Sequence, residues 1–287
     1  MNPSSSVPNP LLVPTSPLPF AKMHGAGNDF ILIDNREIGL DDKTAPRMAK
    51  RLCERHTAIG ADGLIVVDRD PSYTFRMRHY NPDGSRATFC GNGARCLAYF
   101  AYLRGIAGQS MTFVADDGPH DAEILETRVR LRMVDPSDIV LNRRIDGYER
   151  SEIVHTLHTG TEHAVLASPD VKLEPVEQTG RVLRRHPLFQ PGGVNVNFFQ
   201  PLDGANIAVR TYERGVEAET LSCGTGSVAS ALVFALLEEV PSPIRVHTRS
   251  GETLTVRFER QEDRIGDVWL EGSAHYVFEG RWYEETQ

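Results

Sequence analysis

The chain has 287 residues, of which 40% are hydrophobic and 24% charged, and its formal net charge is -8. This length allows one large domain or two medium ones, and the composition is that of an ordinary soluble globular protein. The negative charge argues against nucleic acid or an anionic membrane as the main partner, because both attract basic surfaces. No apolar run is long enough to span a bilayer.

The first nineteen residues contain six prolines. They lack the basic and long apolar regions of a signal peptide and the arginines of a transit peptide. We therefore expect a flexible, Pro/Ser-rich extension here and a cytoplasmic protein. The four cysteines are then expected to be reduced, without structural disulfides.

The predicted elements of the first half begin with two strands, FAKMH and DFILID, on either side of the turn GAGN. A helix is predicted with Thr44 as its N-cap, because an apolar stripe with spacing i, i+3, i+4 and i+7 begins at Ala45. The run GLIVVD indicates a buried strand, and the alternation in YTFRMRHY indicates a half-exposed one. A helix is predicted to begin at Cys90, after the turn NPDGS. Strands are expected near 111–114, 120–125 and 129–134.

The second half repeats this plan, with a helix again predicted from a cysteine, Cys223. A further helix is predicted near 176–185. Strands are predicted near 153–157, 164–167, 194–199, 207–212, 244–248, 253–258, 268–271 and 275–278.

The motif Cys-Gly-X-Gly occurs at Cys90–Gly93 and at Cys223–Gly226, and an apolar run follows it each time. Each cysteine comes ten or eleven residues after a tyrosine that ends a predicted strand. The repeat predicts an α+β fold of two similar domains, each with a mostly antiparallel or mixed sheet wrapped around a central helix.

The segment VDPSD interrupts the pattern, and we place the domain boundary near Asp135–Pro136. We expect residues 1–19 to be the extension, 20–135 to form the N-terminal domain with Cys90, and 136–271 to form the C-terminal domain with Cys223. The C-terminal residues, about 272–287, are expected to pack back on the N-terminal domain.

A cysteine at a helix N-terminus has its thiolate favoured by the helix dipole and by unpaired N–H groups, which also bind carboxylates. Two such cysteines on related domains suggest that a planar intermediate loses a proton to one and gains a proton from the other. That is the geometry of racemisation. A thiol and a thiolate suit it, because two adjacent thiolates would repel each other.

The other cysteines, Cys53 and Cys96, are expected to be buried structural residues. A zinc site is disfavoured because Cys90 and Cys96 lack the short spacing of structural zinc ligands. A hydrolase would need a base beside the nucleophile, and the histidines near glycines or turns leave that possibility open.

Five segments together resemble the diaminopimelate epimerase family: KMHGAGNDFILID, AIGADGLIVVD, YNPDGSRATFCGNGARC, VNVNF and RTYERGVEAETLSCGTGSVASAL. The resemblance runs from about Phe20 to Gly280. It implies two similar domains with the active site in the cleft between them, and a homodimer. It also implies an isomerase that interconverts L,L- and meso-diaminopimelate without pyridoxal phosphate, in lysine and peptidoglycan precursor biosynthesis.

Carried over by position, the resemblance makes Cys90 and Cys223 the acid/base pair and adds His163 and Glu213 to the catalytic residues. Glu213 would help to hold the substrate ammonium, and Arg214 would hold a carboxylate through its planar fork. The implied substrate-binding residues are Asn28, Gly63, Asn81, Gly91, Asn92, Thr161, Asn195, Glu213, Arg214, Gly224 and Thr225.

The sequence departs from the family pattern in three places. Thr161 replaces an asparagine that contacts substrate, and Glu162 replaces a proline. The loop GVEAET is one residue longer than the commoner form, and Gly63 stands where some members have a glutamine. The first departure affects recognition of the distal part of the substrate and leaves the cysteine pair unchanged.

Two alternatives remain open. The chain is a racemase of another amino acid, for example histidine, on the same scaffold, or a non-catalytic protein that binds an amino acid or senses redox state. No metal or cofactor is expected, and the expected partners are a small amino-acid substrate and a second copy of the chain, with no nucleic acid and no membrane.

Overall fold

The computed structural model describes residues 17–126, 128–145, 152–261 and 264–283. Most of the predicted extension, residues 1–16, lies outside the described residues, whereas Leu18 and Pro19 already belong to the first strand. None of the described helices is long and apolar enough to cross a membrane.

The first half contains eight strands and two helices in the described residues. Its elements are β1 (Leu18–Gly25), β2 (Asn28–Asp34), α1 (Thr44–Leu52), β3 (Gly63–Asp68), β4 (Arg76–Tyr80), β5 (Arg86–Ala87), α2 (Gly91–Leu103), β6 (Ser110–Ala115), β7 (Gly118–Leu125) and β8 (Arg128–Arg132).

The second half repeats this order after an additional strand. Its elements are β9 (Ser137–Ile145), β10 (Glu152–His158), β11 (Glu162–Ala167), α3 (Val176–Arg184), a 3-10 turn (Pro187–Phe189), β12 (Asn195–Pro201), β13 (Asn206–Glu213), β14 (Ala218–Thr220), α4 (Gly224–Leu237), β15 (Ile244–Thr248), β16 (Thr253–Gln261), β17 (Arg264–Ser273) and β18 (His275–Trp282).

The strand pairings of the two halves are the same. In the first half, β1 and β2 are antiparallel, β2 and β3 are parallel across α1, and β3 and β4 are antiparallel. In the second half, β10 and β11 are antiparallel, β11 and β12 are parallel across α3, and β12 and β13 are antiparallel. The central helices α2 and α4 then connect the parallel pairs β4–β6 and β13–β15. This confirms the predicted α+β fold with two similar halves.

In each half, one strand of the sheet comes from the chain segment that follows the other half. β9, which follows the first half, pairs with β10, and β18, at the end of the second half, pairs with β1. β8 and β17 pair directly and join the two sheets. The domain limits placed at 135/136 and 271/272 stay predictions.

The two central helices share one apolar core, whereas each outer helix has its own. Ala94 and Leu97 of α2 lie in the same buried cluster as Val228 and Leu232 of α4. The outer helices α1 and α3 pack in two separate clusters on the other faces of the sheets. A single core that spans both halves fixes the N-termini of α2 and α4 relative to each other.

Two local predictions are wrong. Thr44 is the first helical residue, not the N-cap: Asp41 Oδ1 accepts hydrogen bonds from the N–H groups of Lys43 and Thr44. The prediction that YTFRMRHY is half-exposed fails at Arg78, which is on the supposed outer face but is buried and pairs with Asp68, whereas Thr74 on that face is exposed. The strand β9 was not predicted at all. Its burial alternates, but one of the positions that face outward holds an apolar residue, Val140.

Candidate active site

Each half presents one cysteine at the N-cap of its central helix. Cys90 precedes α2 and Cys223 precedes α4, both with an extended backbone, at φ -144° and -119°. The first intrahelical bonds run from Ala94 N–H to Cys90 O and from Ser227 N–H to Cys223 O. The N–H groups of the first turn of each helix have no backbone carbonyl to bond within the helix, and such groups bind anions.

The environment of both thiols favours the protonated form. Burial raises the pKa of Cys90, and it raises the pKa of Cys223 to about 12. The nearby Glu213 carboxylate raises the pKa of both thiols further, and the Cys90 thiol does the same to Cys223. N–H groups of the first helical turns act in the opposite sense, including Gly226 N–H, which lies 3.4 Å from Cys223 Sγ. The two cysteines and Glu213 therefore interact as one group.

Most of the remaining predicted site residues occupy matching positions of the two halves; His163 and Arg214 correspond to Phe30 and Pro82, which were not predicted site residues. Leu64 is opposite Tyr80 in the first half, and Val196 is opposite Tyr212 in the second. Counting one residue outward, Gly63 matches Asn195 and Asn81 matches Glu213. Phe30 is opposite Gly63 and His163 is opposite Asn195, so two residues earlier Asn28 matches Thr161. Gly91 and Asn92 match Gly224 and Thr225 in the two helices.

In the first half, a chain of hydrogen bonds orients Asn28. Arg95 is fully buried in α2, and its Nη2 donates to Asn92 Oδ1 at 2.9 Å. Asn92 Nδ2 donates to Asn28 Oδ1 at 2.7 Å, and Asn28 Nδ2 donates to Asp62 Oδ2 at 3.1 Å. Because the guanidinium can only donate, it fixes which end of the Asn92 amide faces Asn28. Arg95 was missed by sequence reasoning, although an arginine within the apolar run of α2 is a usable signal.

The turn that carries Asn28 is also held by the second half. Ala26 and Gly27 have φ of 51° and 93°, as a two-residue hairpin turn requires. Glu252, from the loop between β15 and β16, accepts hydrogen bonds from the N–H groups of Ala26 at 2.7 Å and Ser273 at 2.6 Å. Glu252 was not predicted, and nothing in its sequence surroundings identifies it.

Gly63 is fixed by a contact with His79. A Cβ on Gly63 would lie 2.6 Å from His79 Nε2, so a larger residue there would require the ring to move. His79 is buried, and burial lowers its pKa to about 4. Asn81 lies beyond the end of β4, where its Nδ2 donates to Ser85 Oγ at 2.9 Å. Any contact of position 63 with substrate would therefore come from its backbone.

In the second half, several contacts hold Arg214. Its backbone N–H donates to Asn195 Oδ1 at 2.7 Å. Its guanidinium donates to Thr161 Oγ1 at 2.5 Å, to Glu162 Oε2 at 2.9 Å and to the carbonyl of Gly193 at 2.9 Å. Thr161 and Glu162, two of the residues that depart from the family pattern, are thus partners of the same arginine.

His163 is held as a neutral ring in a single tautomer. The amide of Asn197 donates from Nδ2 to His163 Nδ1 at 2.9 Å and to the carbonyl of Ala164 at 3.3 Å, and its Oδ1 accepts from Thr211 Oγ1. Because His163 Nδ1 accepts, the ring proton is on Nε2, which has no partner among the described residues. Burial lowers the pKa of His163 to about 3. Asn197 was missed, although VNVNF places it two residues from Asn195, on the same face of a strand.

Glu213 lies at the end of β13, beside Arg214. Burial raises the pKa of its carboxyl group. Cys53 and Cys96 are buried, and burial raises the pKa of each to about 12, in line with their predicted structural role. Among the described residues, no three His, Cys, Asp or Glu side chains are grouped as metal ligands would be.

The fold is shared with several solved structures. A phenazine biosynthesis protein of the PhzF family from Bacillus anthracis superposes with a TM-score of 0.72 at 15% identity, covering 93% of this chain and 99% of that one. A hydroxyproline epimerase from Agrobacterium vitis, with bound trans-4-hydroxy-L-proline, superposes with a TM-score of 0.67 at 14% identity, covering 95% of this chain and 94% of that one. These similarities define the class of two-domain fold.

Comparisons of sequence identify the family. The family model described as Diaminopimelate epimerase matches residues 20–137 and 155–277. The diaminopimelate epimerase of Aquifex aeolicus is 42% identical over 279 residues, covering 93% of this chain and 98% of that protein. That of Chlorobaculum tepidum is 41% identical over 263 residues, covering 90% and 98%. The chain belongs to the diaminopimelate epimerase family, whose members are isomerases.

Proposed function

We propose that this protein interconverts L,L- and meso-diaminopimelate by proton transfer at the α-carbon between Cys90 and Cys223, without a cofactor. The observation that carries the proposal is the matched pair of N-cap cysteines. They belong to equivalent helices that share one core, and the Cys90 thiol influences the pKa of Cys223. Family membership supports the choice of substrate.

In this mechanism one cysteine acts as a thiolate and removes the α-proton. The other cysteine, still a thiol, donates its proton to the opposite face of the carbanion. After turnover the two cysteines have exchanged protonation states, so the reverse reaction uses them in the opposite roles. In this mechanism only one of the two thiols is deprotonated at a time, because two thiolates in this buried site would repel each other.

The substrate α-carboxylate would bind at the two helix N-termini. The N–H groups of Gly91, Asn92, Gly224 and Thr225 would hold the charge that develops as the proton leaves. Glu213 would hold the α-ammonium, whose positive charge offsets the repulsion that Glu213 exerts on a thiolate. With the α-carboxylate bound by the helices, Arg214 remains for the carboxylate at the distal end of the substrate.

His163 would serve this site as a neutral donor. Its Nδ1 already accepts from Asn197, so only the Nε2 proton can be offered. Asn28, Asn81 and Asn195 would orient the substrate, and Thr161 would act through Arg214, to which it is bonded.

The setting of the reaction is part of the same proposal. The mechanism needs both thiols reduced, which favours the cytoplasm. A homodimer is the assembly that the family resemblance implies. The proposal includes no metal, nucleic-acid or membrane partner.

The test is α-proton exchange with purified protein and L,L-diaminopimelate in heavy water. We expect deuterium in newly formed meso product before it appears in recovered substrate, because the proton donor is a thiol that has exchanged with solvent. A panel that includes histidine separates this activity from racemisation of another amino acid. Binding without any exchange would instead indicate a non-catalytic amino-acid-binding protein and would refute the proposal.

A further inference from the structure

Arg214 and Glu162 form an ion pair at the edge of the candidate site. Arg214 Nη1 lies 2.9 Å from Glu162 Oε2, and their side chains are 30% and 56% exposed. Glu162 is the only carboxylate paired with Arg214 among the described residues. The pair therefore presents one positive and one negative group, side by side, to an incoming molecule.

The two partners differ in how firmly they are held. Arg214 has neutral acceptors on both sides of its fork, Thr161 Oγ1 and the carbonyl of Gly193, so its position does not depend on Glu162. Glu162 has a more exposed side chain, and in the part of the chain that the structure describes its carboxylate bonds to one other residue, Arg214, besides its own backbone N–H. The carboxylate can turn toward a bound group while Arg214 stays in place.

A cavity lies beside Glu162, and Arg214 borders it through the carbonyl groups of Gly192 and Gly193. A cavity of about 400 Å³ is lined by Glu162 and His163, together with the loop that contains Gly192 and Gly193. The carbonyl of Gly193, on the same loop, is one of the neutral acceptors of Arg214. A head group that reached Arg214 would therefore come next to Glu162 as well.

The charges of this pair suit one class of head group. A distal carboxylate alone would bind Arg214 but would bring a second negative charge next to Glu162, which is unfavourable. A zwitterionic head group, with a carboxylate and an ammonium on one carbon, would satisfy both residues. In that case Glu162 attracts the distal ammonium of the substrate, and it repels the distal carboxylate of analogues that lack this ammonium.

We propose that Glu162 is a specificity-determining residue that binds the distal ammonium of a zwitterionic substrate while Arg214 binds the distal carboxylate. The proposal rests on the proposed function, because it assigns the second end of the same substrate. It gives the replacement of the family's proline by Glu162 a role in selecting the substrate.

The experiment compares two compounds and two proteins. The compounds are diaminopimelate and 2-aminopimelate, which lacks the distal ammonium, and the proteins are the parent and Glu162→Gln. Glutamine keeps the shape and an acceptor for Arg214 but removes the charge. Exchange of the α-proton gives kcat and KM, and calorimetry gives the Kd of each compound.

We expect the parent to prefer diaminopimelate by about 10- to 100-fold in kcat/KM, the effect of one hydrogen bond to a charged group. In Glu162→Gln this preference should fall to within about 3-fold of unity, mainly through KM, since the reacting carbon is untouched. Glu123→Gln is the matched control, because Glu123 pairs with Arg130 Nη1 at 3.1 Å outside the site. It should keep the parent's preference.

Three results would overturn the inference. The first is an unchanged preference for diaminopimelate in Glu162→Gln. The second is an equal rise in kcat/KM for both compounds, which would mean that Glu162 only competes with them for Arg214. The third is an equal fall in kcat/KM for both compounds, which would mean that Glu162 only supports Arg214. Failure of the proposed function looks different, because the parent itself would then exchange the α-proton of neither compound. The Kd values would still decide whether Glu162 distinguishes the two head groups.

Discussion

The two halves offer the substrate the same strand positions but fill them with different chemistry. In the first half these positions hold Asn28, Gly63 and Asn81. Charged groups near them form ion pairs with each other, such as Lys22 with Asp29. In the second half the matching positions hold Thr161, Asn195 and Glu213, and Arg214 follows directly. The cysteines and the helix N-termini are the features that stay the same.

This difference separates the reaction from substrate recognition. Proton transfer to opposite faces needs two equivalent groups, and the repeated fold supplies them at equivalent places. Recognition of one particular amino acid needs a directional set of charges, and only the second half supplies it. The interior differs in the same way: position 79 is a buried histidine in the first half, and its counterpart in the second is Thr211, which bonds to Asn197.

The largest expected effect tests whether the two halves are equivalent in catalysis. Cys90→Ala and Cys223→Ala should each reduce epimerisation by roughly 10³-fold or more, because neither face can replace the other. α-Proton exchange measured by NMR checks the rates, and circular dichroism checks folding. Cys53→Ala, a buried cysteine outside the site, is the control and should retain most of the activity. A single site variant with close to the parent rate would show that the pair does not act as proposed.

The second prediction concerns the buried histidine of the first half. Unfolded His79 binds a proton near pH 6.5, whereas burial lowers its pKa to about 4 in the folded protein. Between these values the unfolded state binds more protons, so the stability contribution is lost as pH falls, by on the order of 3 kcal/mol. Urea unfolding from pH 7 to pH 4 should show a flatter dependence for His79→Gln than for the parent.

An exposed histidine gives the comparison for that measurement. His56→Gln should keep the parent's pH dependence, because the side chain is exposed. Identical slopes for His79→Gln and the parent would mean that the buried ring does not contribute to acid sensitivity.

The smallest expected effect compares the two glycines at the third position of the helices. A Cβ at Gly226 would overlap Asn197 Oδ1, whereas one at Gly93 would lie 2.8 Å from the end of the Ile65 side chain. Ile65 can change rotamer, but Asn197 is held by His163, Ala164 and Thr211. Gly226→Ala should therefore lower the free energy of unfolding by about 2–3 kcal/mol and Gly93→Ala by about 1 kcal/mol.

Gly91→Ala is the control for both substitutions, because a Cβ there has nothing within 4 Å. Its free energy of unfolding should stay within about 0.5 kcal/mol of the parent's. Equal losses for Gly93→Ala and Gly226→Ala would mean that Asn197 is not the more rigid neighbour.

The sequence by itself determined the repeated architecture and the cysteine pair. The helix that begins at each Cys-Gly-X-Gly and the hairpin at GAGN depend on local backbone preferences, and most strands follow from side-chain periodicity along one segment. The matching positions of Cys90 and Cys223 then follow from the repeat. The resemblance to the family could also be recognised from the sequence, because each of the five segments that carry it is a continuous run of residues.

Only the tertiary structure decided how the site is completed. The contact of Gly63 with His79, the lock of His163 by Asn197 and the pairing of Arg214 with Glu162 join residues that are 16 to 52 positions apart. Such contacts also determine the burial of Arg78, the pairing of β9 with β10 and of β18 with β1, and the hydrogen bonds from Ala26 and Ser273 to Glu252. Periodicity indicates which way a side chain faces, but its partner is set by strand register and by packing between segments that are distant in sequence.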